Sequence, residues 1–216
     1  MKGVNPVISE RTELVIIGAG GHAKVVIETA CAMGYQTIWV FDDNPEGSKP
    51  LGYHIQGTCE QAIEATNKAA YFVAIGANAV RLRLLNALIE RKKSLATLVH
   101  PSAVVSPSAK IGKASLVVAK AVINADASLG LGCIVNTAAT VDHDCVVADG
   151  AHIAPGANLC GGVTVGKETL IGAGSAILPQ KKIGDKCIVG AGSTVISDIP
   201  EGHSAVGSPA KIMIKN

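Results

Sequence analysis

The sequence predicts a two-part chain: a small α/β unit built on a Rossmann-like parallel sheet, then an all-β, three-sided parallel β-helix. Three observations carry this. From Val99 a Val, Ile or Leu recurs at every sixth residue through Val195, seventeen positions without a gap. All six aromatic residues (Tyr35, Trp39, Phe41, Tyr53, Tyr71 and Phe72) precede that array. In the same region short apolar runs alternate with helical patterns, as parallel strands joined by crossover helices require.

The first unit reads in order. Leu14-Val-Ile-Ile17 is a short apolar run, followed by Gly18-Ala-Gly-Gly-His22 and a helical pattern from Ala23 to Met33. Thr37 to Phe41 is a second strand, closed by the turn signal Asp42-Asp43-Asn44-Pro45. Thr58 and Gln61 have the spacing of a capping box that opens a helix running to about Lys68. Tyr71 to Ile75 is a third strand. Asn78 is placed to cap the helix after it, on which Leu82, Leu85, Leu88 and Ile89 form one face. Leu95 to Val99 leads into the repeats.

Gly18-x-Gly20-x-x-Ala23 sits after a strand and opens a helix, the context in which backbone N–H groups cradle a phosphate. Asp42 and Asp43 follow at about the distance where an acidic residue meets a ribose. A nucleotide site and a ligand-free tight turn both fit these residues.

The repeat has a second component. The residue four places after each aliphatic is small (Ala103, Ala109, Ser115, Ala121, Ala127, Cys133, Ala139, Cys145, Ala151 and so on), with Val163 and Lys181 as departures. A run of seventeen aliphatics by chance has odds on the order of 10⁻⁵ at a roughly one-half apolar frequency. One large and one small residue per six is what a triangular coil needs. Each face inserts one large side chain into a narrow interior, and the small residue sits near a corner. Glycine in the second place (Gly112, Gly130, Gly166, Gly172, Gly184, Gly190) is expected to serve tight turns. Cys133, Cys145 and Cys187 occupy the small slot and read as buried hydrophobes.

Composition narrows the function classes. The 216 residues carry a net charge of +2, with 17% charged and 48% hydrophobic residues. That balance supports packed cores and gives no electrostatic footprint for nucleic acid. No apolar run approaches the roughly 18 residues of a membrane span. The six cysteines show no Cys-x-x-Cys spacing and the start of the chain is polar, so a reduced, cytoplasmic protein is expected.

The aliphatic-Gly-x-x-x-x array resembles the hexapeptide acyltransferase family, which implies a left-handed coil and a homotrimer with active sites between subunits. With the Gly-Ala-Gly-Gly-His, Phe-Asp-Asp and Ile75-Gly-Ala-Asn78 segments added, the whole chain resembles the UDP-amino-sugar N-acetyltransferases of the bacillosamine pathway. Sialic acid O-acetyltransferase-like proteins share the layout. The resemblance implies acetyl-CoA as cosubstrate, no metal, and a UDP-4-amino-sugar acceptor whose UDP part is held by residues 1–96. The coil then spans 97–200, and a tail at 201–216 runs beside the CoA arm through Val206-Gly-Ser-Pro-Ala-Lys211.

Acetyl transfer to an amine needs a base and oxyanion donors. His143, third in its hexad, points outward between Asp142 and Asp144. The Asn136-Thr…Asp-His-Asp-Cys145 segment resembles the family's Asn-Thr/Ser…Glu-His-Glu-Cys, which implies that His143 is the base and that Asp144 orients it. The family's usual Glu is shortened here to Asp144, which places its reach in question. The resemblance further implies acceptor contacts from Gly20, Gly21, His22, Asp42, Asp43, Asn78 and Asn136, with Arg81 bordering the same crevice. It implies cofactor contacts from His152, Gly161, Ala173 and Ala191. Sialic acid O-acetylation is the alternative within the class. A nucleotide-sugar-binding scaffold, a γ-type carbonic anhydrase and an NAD-dependent sugar oxidoreductase are the alternatives outside it.

Overall fold

The structure, a computed structural model, describes residues 13–44, 46–47, 49–66 and 68–213. The polar stretch at 1–12 and Pro45 of the expected turn lie outside the described residues. The chain divides into two compact units, residues 1–101 and 102–216.

In the first unit the order is β1 (Glu13–Ile17), α1 (Gly21–Ala32), β2 (Thr37–Phe41), α2 (Cys59–Glu64), β3 (Ala70–Val73) and α3 (Asn78–Glu90). The strands form a parallel sheet in the order β2-β1-β3. The central strand β1 is buried from Leu14 to Ile17, which is why it reads as an unbroken apolar run and not as an alternation. The capping box forms as expected: the Gln61 amide donates to Thr58 Oγ1 at 3.2 Å and the Thr58 amide to Gln61 Oε1 at 2.8 Å. α2 stops at Glu64, short of Lys68, because Ala65 turns extended and its carbonyl accepts from the Lys93 ammonium.

α3 departs from expectation at two places. Its N-cap is Ala77, and Asn78 is the first helical residue, its side chain committed elsewhere. Leu82, Leu85 and Leu88 are buried, whereas Ile89 is 45% exposed. The three leucines fill the stripe, and a residue adjacent to Leu88 is rotated roughly 100° around the axis.

The second unit is the coil. Two-residue strands recur every six residues, and each ends on one of the repeating aliphatics. Three strands close one rung, so neighbouring rungs pair in parallel at a spacing of eighteen, as in Leu116↔Ile134↔His152. One face carries Ile134–Val135 and His152–Ile153, the next Thr140–Val141 and Asn158–Leu159, the third Val146–Val147 and Thr164–Val165. From Val117 to Val195 every repeating aliphatic is buried. Val163, a departure from the small slot, is buried too.

The corners obey a rule the sequence does not announce. Every sixth residue from Ala114 to Gly192 has a positive φ, and eight of these fourteen are not glycine, among them Lys120, Ala138, Asp144 and Gln180. Each such residue costs about 1 kcal/mol, which the burial of one aliphatic at about 1.5–3 kcal/mol offsets. The second-place glycines therefore have another purpose. A Cβ on Gly112 would lie 2.2 Å from the Gly130 carbonyl oxygen, and one on Gly166 would lie 2.4 Å from the Asp185 nitrogen. They are small because the next rung passes directly over them. The coil ends in a hairpin, with Ser204–Gly207 parallel to Ile188–Val189 and antiparallel to Ala210–Ile212.

Candidate active site

His143 stands at the corner between the second and third faces, on the two-residue turn after Thr140–Val141. Its side chain is 61% exposed, as the third place of a hexad predicts. Nδ1 lies 2.8 Å from Asp144 Oδ2, so the shorter carboxylate does reach the ring. Asp144 is the left-handed residue of this corner (φ 60°), a conformation Asp tolerates better than most. An ionised carboxylate only accepts, so the proton rests on Nδ1 and the lone pair is on Nε2. The bond to Asp144 and then the charge of Asp142 hold the imidazole pKa above its ordinary value. Asp142 Oδ1 accepts from the His143 amide at 2.8 Å and from Asn124 Nδ2 at 2.8 Å, and these bonds lower its own pKa.

Gly161 lies one rung above, eighteen residues on. A Cβ there would stand 2.5 Å from Cε1 and Nε2 of His143, so the absence of a side chain is what seats the ring. The Gly162 amide donates to the His143 carbonyl at 2.9 Å, tying the two corners together. Asn124, one rung below Asp142, escaped sequence reasoning, although the same eighteen-residue step would have found it.

Asn136 and His152 make a second cluster. Asn136 is nearly buried, its Oδ1 accepts from the Thr137 amide at 2.8 Å, and its Nδ2 faces His152 Nε2 at 3.1 Å. The amide nitrogen must donate, so His152 Nε2 is the acceptor. His152 begins a strand of the first face, opposite the corner that holds His143. Nine residues are half a rung, so one chain does not bring these two histidines together. Ala173 and Ala191 are exposed, one rung apart in the corner that follows the first face, and the Ala173 carbonyl accepts from the Gly192 amide at 2.8 Å.

In the first unit, loops converge at the C-terminal edge of the sheet, where α/β folds bind ligands. Gly20 is the N-cap of α1, and a Cβ on Gly20 or Gly21 would meet open space. Gly18 needs its freedom: φ is 110°, and a Cβ would lie 2.9 Å from the Ala74 carbonyl oxygen. Asp42 braces this turn, with Oδ2 accepting from the Ala19 amide at 2.7 Å and Oδ1 from the Asn44 amide at 2.9 Å. Asp43 Oδ1 accepts from the Cys59 amide at 2.9 Å, at the start of α2. Burial, and then Asp43, push the Cys59 thiol up to about 11, so it stays protonated near neutral pH. Burial, and then the Arg81 charge, push His22 down to about 4, so it is neutral at physiological pH. Arg81 is neither a solvated residue nor a free lining group: it is 1% exposed, with Nη1 on the carbonyls of Ile75 (2.9 Å) and Gly76 (3.0 Å) and Nη2 on Asn78 Oδ1 (2.8 Å).

Among the described residues no group of three or more His, Cys, Asp or Glu is arranged to hold a metal ion. No helix there is long and apolar enough to cross a membrane.

Residues 13–88 match the family profile described as PglD N-terminal domain. The acetyltransferase domain of PglB from Neisseria gonorrhoeae FA1090 is 42% identical, with 94% of this chain and 100% of that one aligned at a TM-score of 0.90. The chain belongs to the hexapeptide-repeat acetyltransferases. Its coil is the left-handed β-helix of that family. The PglB domain has also been solved with acetyl coenzyme A. PerB from Caulobacter crescentus, solved with CoA and GDP-perosamine, is 40% identical over 94% of this chain and 97% of its own, with a TM-score of 0.87. The perosamine N-acetyltransferase of that organism is also solved, with the same ligands, as a His-to-Asn variant. A UDP-N-acetylbacillosamine N-acetyltransferase of Bacillus subtilis (strain 168) is 38% identical over 106 residues, 47% of this chain and 49% of that protein, so the match spans about half the length of this curated relative.

Proposed function

We propose that the protein transfers the acetyl group of acetyl-CoA to the amino group of a nucleotide-linked amino-sugar, a UDP-4-amino-sugar of the bacillosamine type, with His143 as general base. The observation that carries this is the pairing of His143 Nδ1 with Asp144 Oδ2, which leaves Nε2 as the free base on an exposed corner. Nε2 takes the proton from the amine as its nitrogen attacks the thioester carbonyl. Asp144 stabilises the imidazolium that results, and Asp142 adds negative charge beside it. The tetrahedral oxyanion is met by the backbone amide at Gly161, where the missing side chain allows close approach. The thiolate of CoA leaves, and the acetamide forms.

Asn136 and His152 take the acceptor sugar and the thioester region respectively, and Ala173 and Ala191 line the CoA channel with their backbone. The first unit holds the nucleotide: the turn at Gly20 and Gly21 receives the diphosphate, His22 approaches the acceptor, Asp42 and Asp43 border the nucleoside end, and Asn78 borders the same crevice. His143 and His152 occupy opposite sides of one prism, and this supports a homotrimer in which neighbouring chains complete each site. A cytoplasmic location fits acetyl-CoA and a nucleotide sugar as substrates.

The test is incubation with acetyl-CoA and a panel of UDP- and GDP-linked 4-amino-sugars, together with free sialic acids, read by mass spectrometry. A gain of one acetyl group on the UDP-4-amino-sugar is expected. Acetylation of sialic acid alone would replace the amine reading, and acetylation of none would remove it.

A further inference from the structure

Arg81 breaks two rules at once. It is a cation in the first turn of the thirteen-residue α3, where the helix dipole disfavours positive charge. It is also buried, and burying a charge is costly unless it is well hydrogen-bonded. Local rules broken in this way are expected at functional or strained sites.

What the guanidinium holds is specific. Its two terminal nitrogens span Ile75 O, Gly76 O and Asn78 Oδ1, which fixes the whole β3–α3 loop. That loop abuts the glycine-rich turn: the space where a Cβ of Gly18 would sit is bounded by the Ala74 carbonyl and by Ile75 Cγ1, both at 2.9 Å. The charge is also felt at His22, in the first turn of α1. Arg81 therefore lies buried at the start of α3 and within electrostatic reach of the start of α1, where the two helix N-termini and the open Gly20-Gly21 backbone are all of one electrostatic sign.

We propose that Arg81 is the positioning residue of acceptor binding, locking the β3–α3 loop against the glycine-rich turn and supplying buried positive potential toward the diphosphate without touching it. This rests on the nucleotide-binding reading of the first unit. Lysine cannot replace it, because a single ammonium does not span three acceptors in a planar fork.

The experiment compares wild type, Arg81→Lys and Arg81→Gln by calorimetric titration with UDP, UMP and uridine, and by steady-state kinetics with the UDP-4-amino-sugar. In both variants the KM for the acceptor should rise by about tenfold or more, with kcat and the KM for acetyl-CoA little changed. The preference for UDP over uridine should shrink, most in Arg81→Gln. An unchanged acceptor KM and an unchanged UDP preference in either variant overturn the role. So does a loss of acetyl-CoA affinity or of cooperative unfolding in both variants, since that makes Arg81 a general structural residue. Failure of the wild type to bind UDP overturns the nucleotide reading itself, a result distinct from a wild type that binds and variants that bind equally well.

Discussion

At the scale of single residues, the proposed chemistry depends on a pair of side chains on one turn. His143 and Asp144 are adjacent in sequence, Asp144 has a positive φ, and its carboxylate reaches the ring. Because that bond is the largest cause of the raised imidazole pKa, its removal has a signed consequence. As the proposed base, His143 must be unprotonated, so kcat/KM should rise with pH through its pKa. In Asp144→Asn the inflection should move to lower pH, and the plateau rate should fall because the tautomer is no longer fixed. A pH–rate profile checks both, and an inflection unmoved or moved upward would contradict the pairing. His143 was legible in the sequence because hexad phase alone decides which side chains leave the prism. Gly161 and Asn124 were equally legible in principle, since one rung is eighteen residues. Arg81 was the harder case. It lies four residues before Leu85 and seven before Leu88, on the buried stripe, and a charge on that stripe was the available signal.

At the scale of elements, the coil is held by layers that each contribute one aliphatic and one small residue per face. Ile153→Ala should cost about 2–5 kcal/mol by leaving a cavity the neighbouring rungs cannot close. Gly166→Ala should cost about 1–3 kcal/mol for the opposite reason, since a methyl group would meet the backbone of the rung above. Val104→Ala, on an exposed side chain, should stay within about 0.5 kcal/mol. Urea unfolding of the three variants ranks them, and equal losses at Val104 and Ile153 would contradict the inward and outward assignment. Periodicity sets that assignment without further information. It does not set the corner geometry, because left-handed positions are filled by Ala, Lys, Asp, Glu and Gln as well as by Gly. The sequence signal of those positions is weak, and the more visible second-place glycines answer to rung spacing instead. The same limit applied to α2, where the carbonyl of Ala65, the residue just past the helix, accepts from a lysine twenty-eight residues away.

At the scale of the whole molecule, the proposed function divides the labour between two units, the first for a nucleotide and the coil for acetyl transfer. With His143 as the proposed base on one corner and His152 on the opposite face, the proposed site calls for a neighbouring chain, so light scattering should give a trimer. A stable monomer with full turnover would contradict that arrangement. The division into α/β unit and coil was legible from aromatic placement and from the six-residue step. The acceptor was not, since a glycine-rich turn recognises a phosphate and not the sugar beyond it. The corner at His143 is decisive, and the most direct measurement is the turnover of His143→Ala with acetyl-CoA and the UDP-4-amino-sugar, alongside nucleotide and CoA affinities. Turnover should fall about 10²–10⁴-fold while both affinities and the fold persist. Wild-type turnover in that variant would contradict the mechanism.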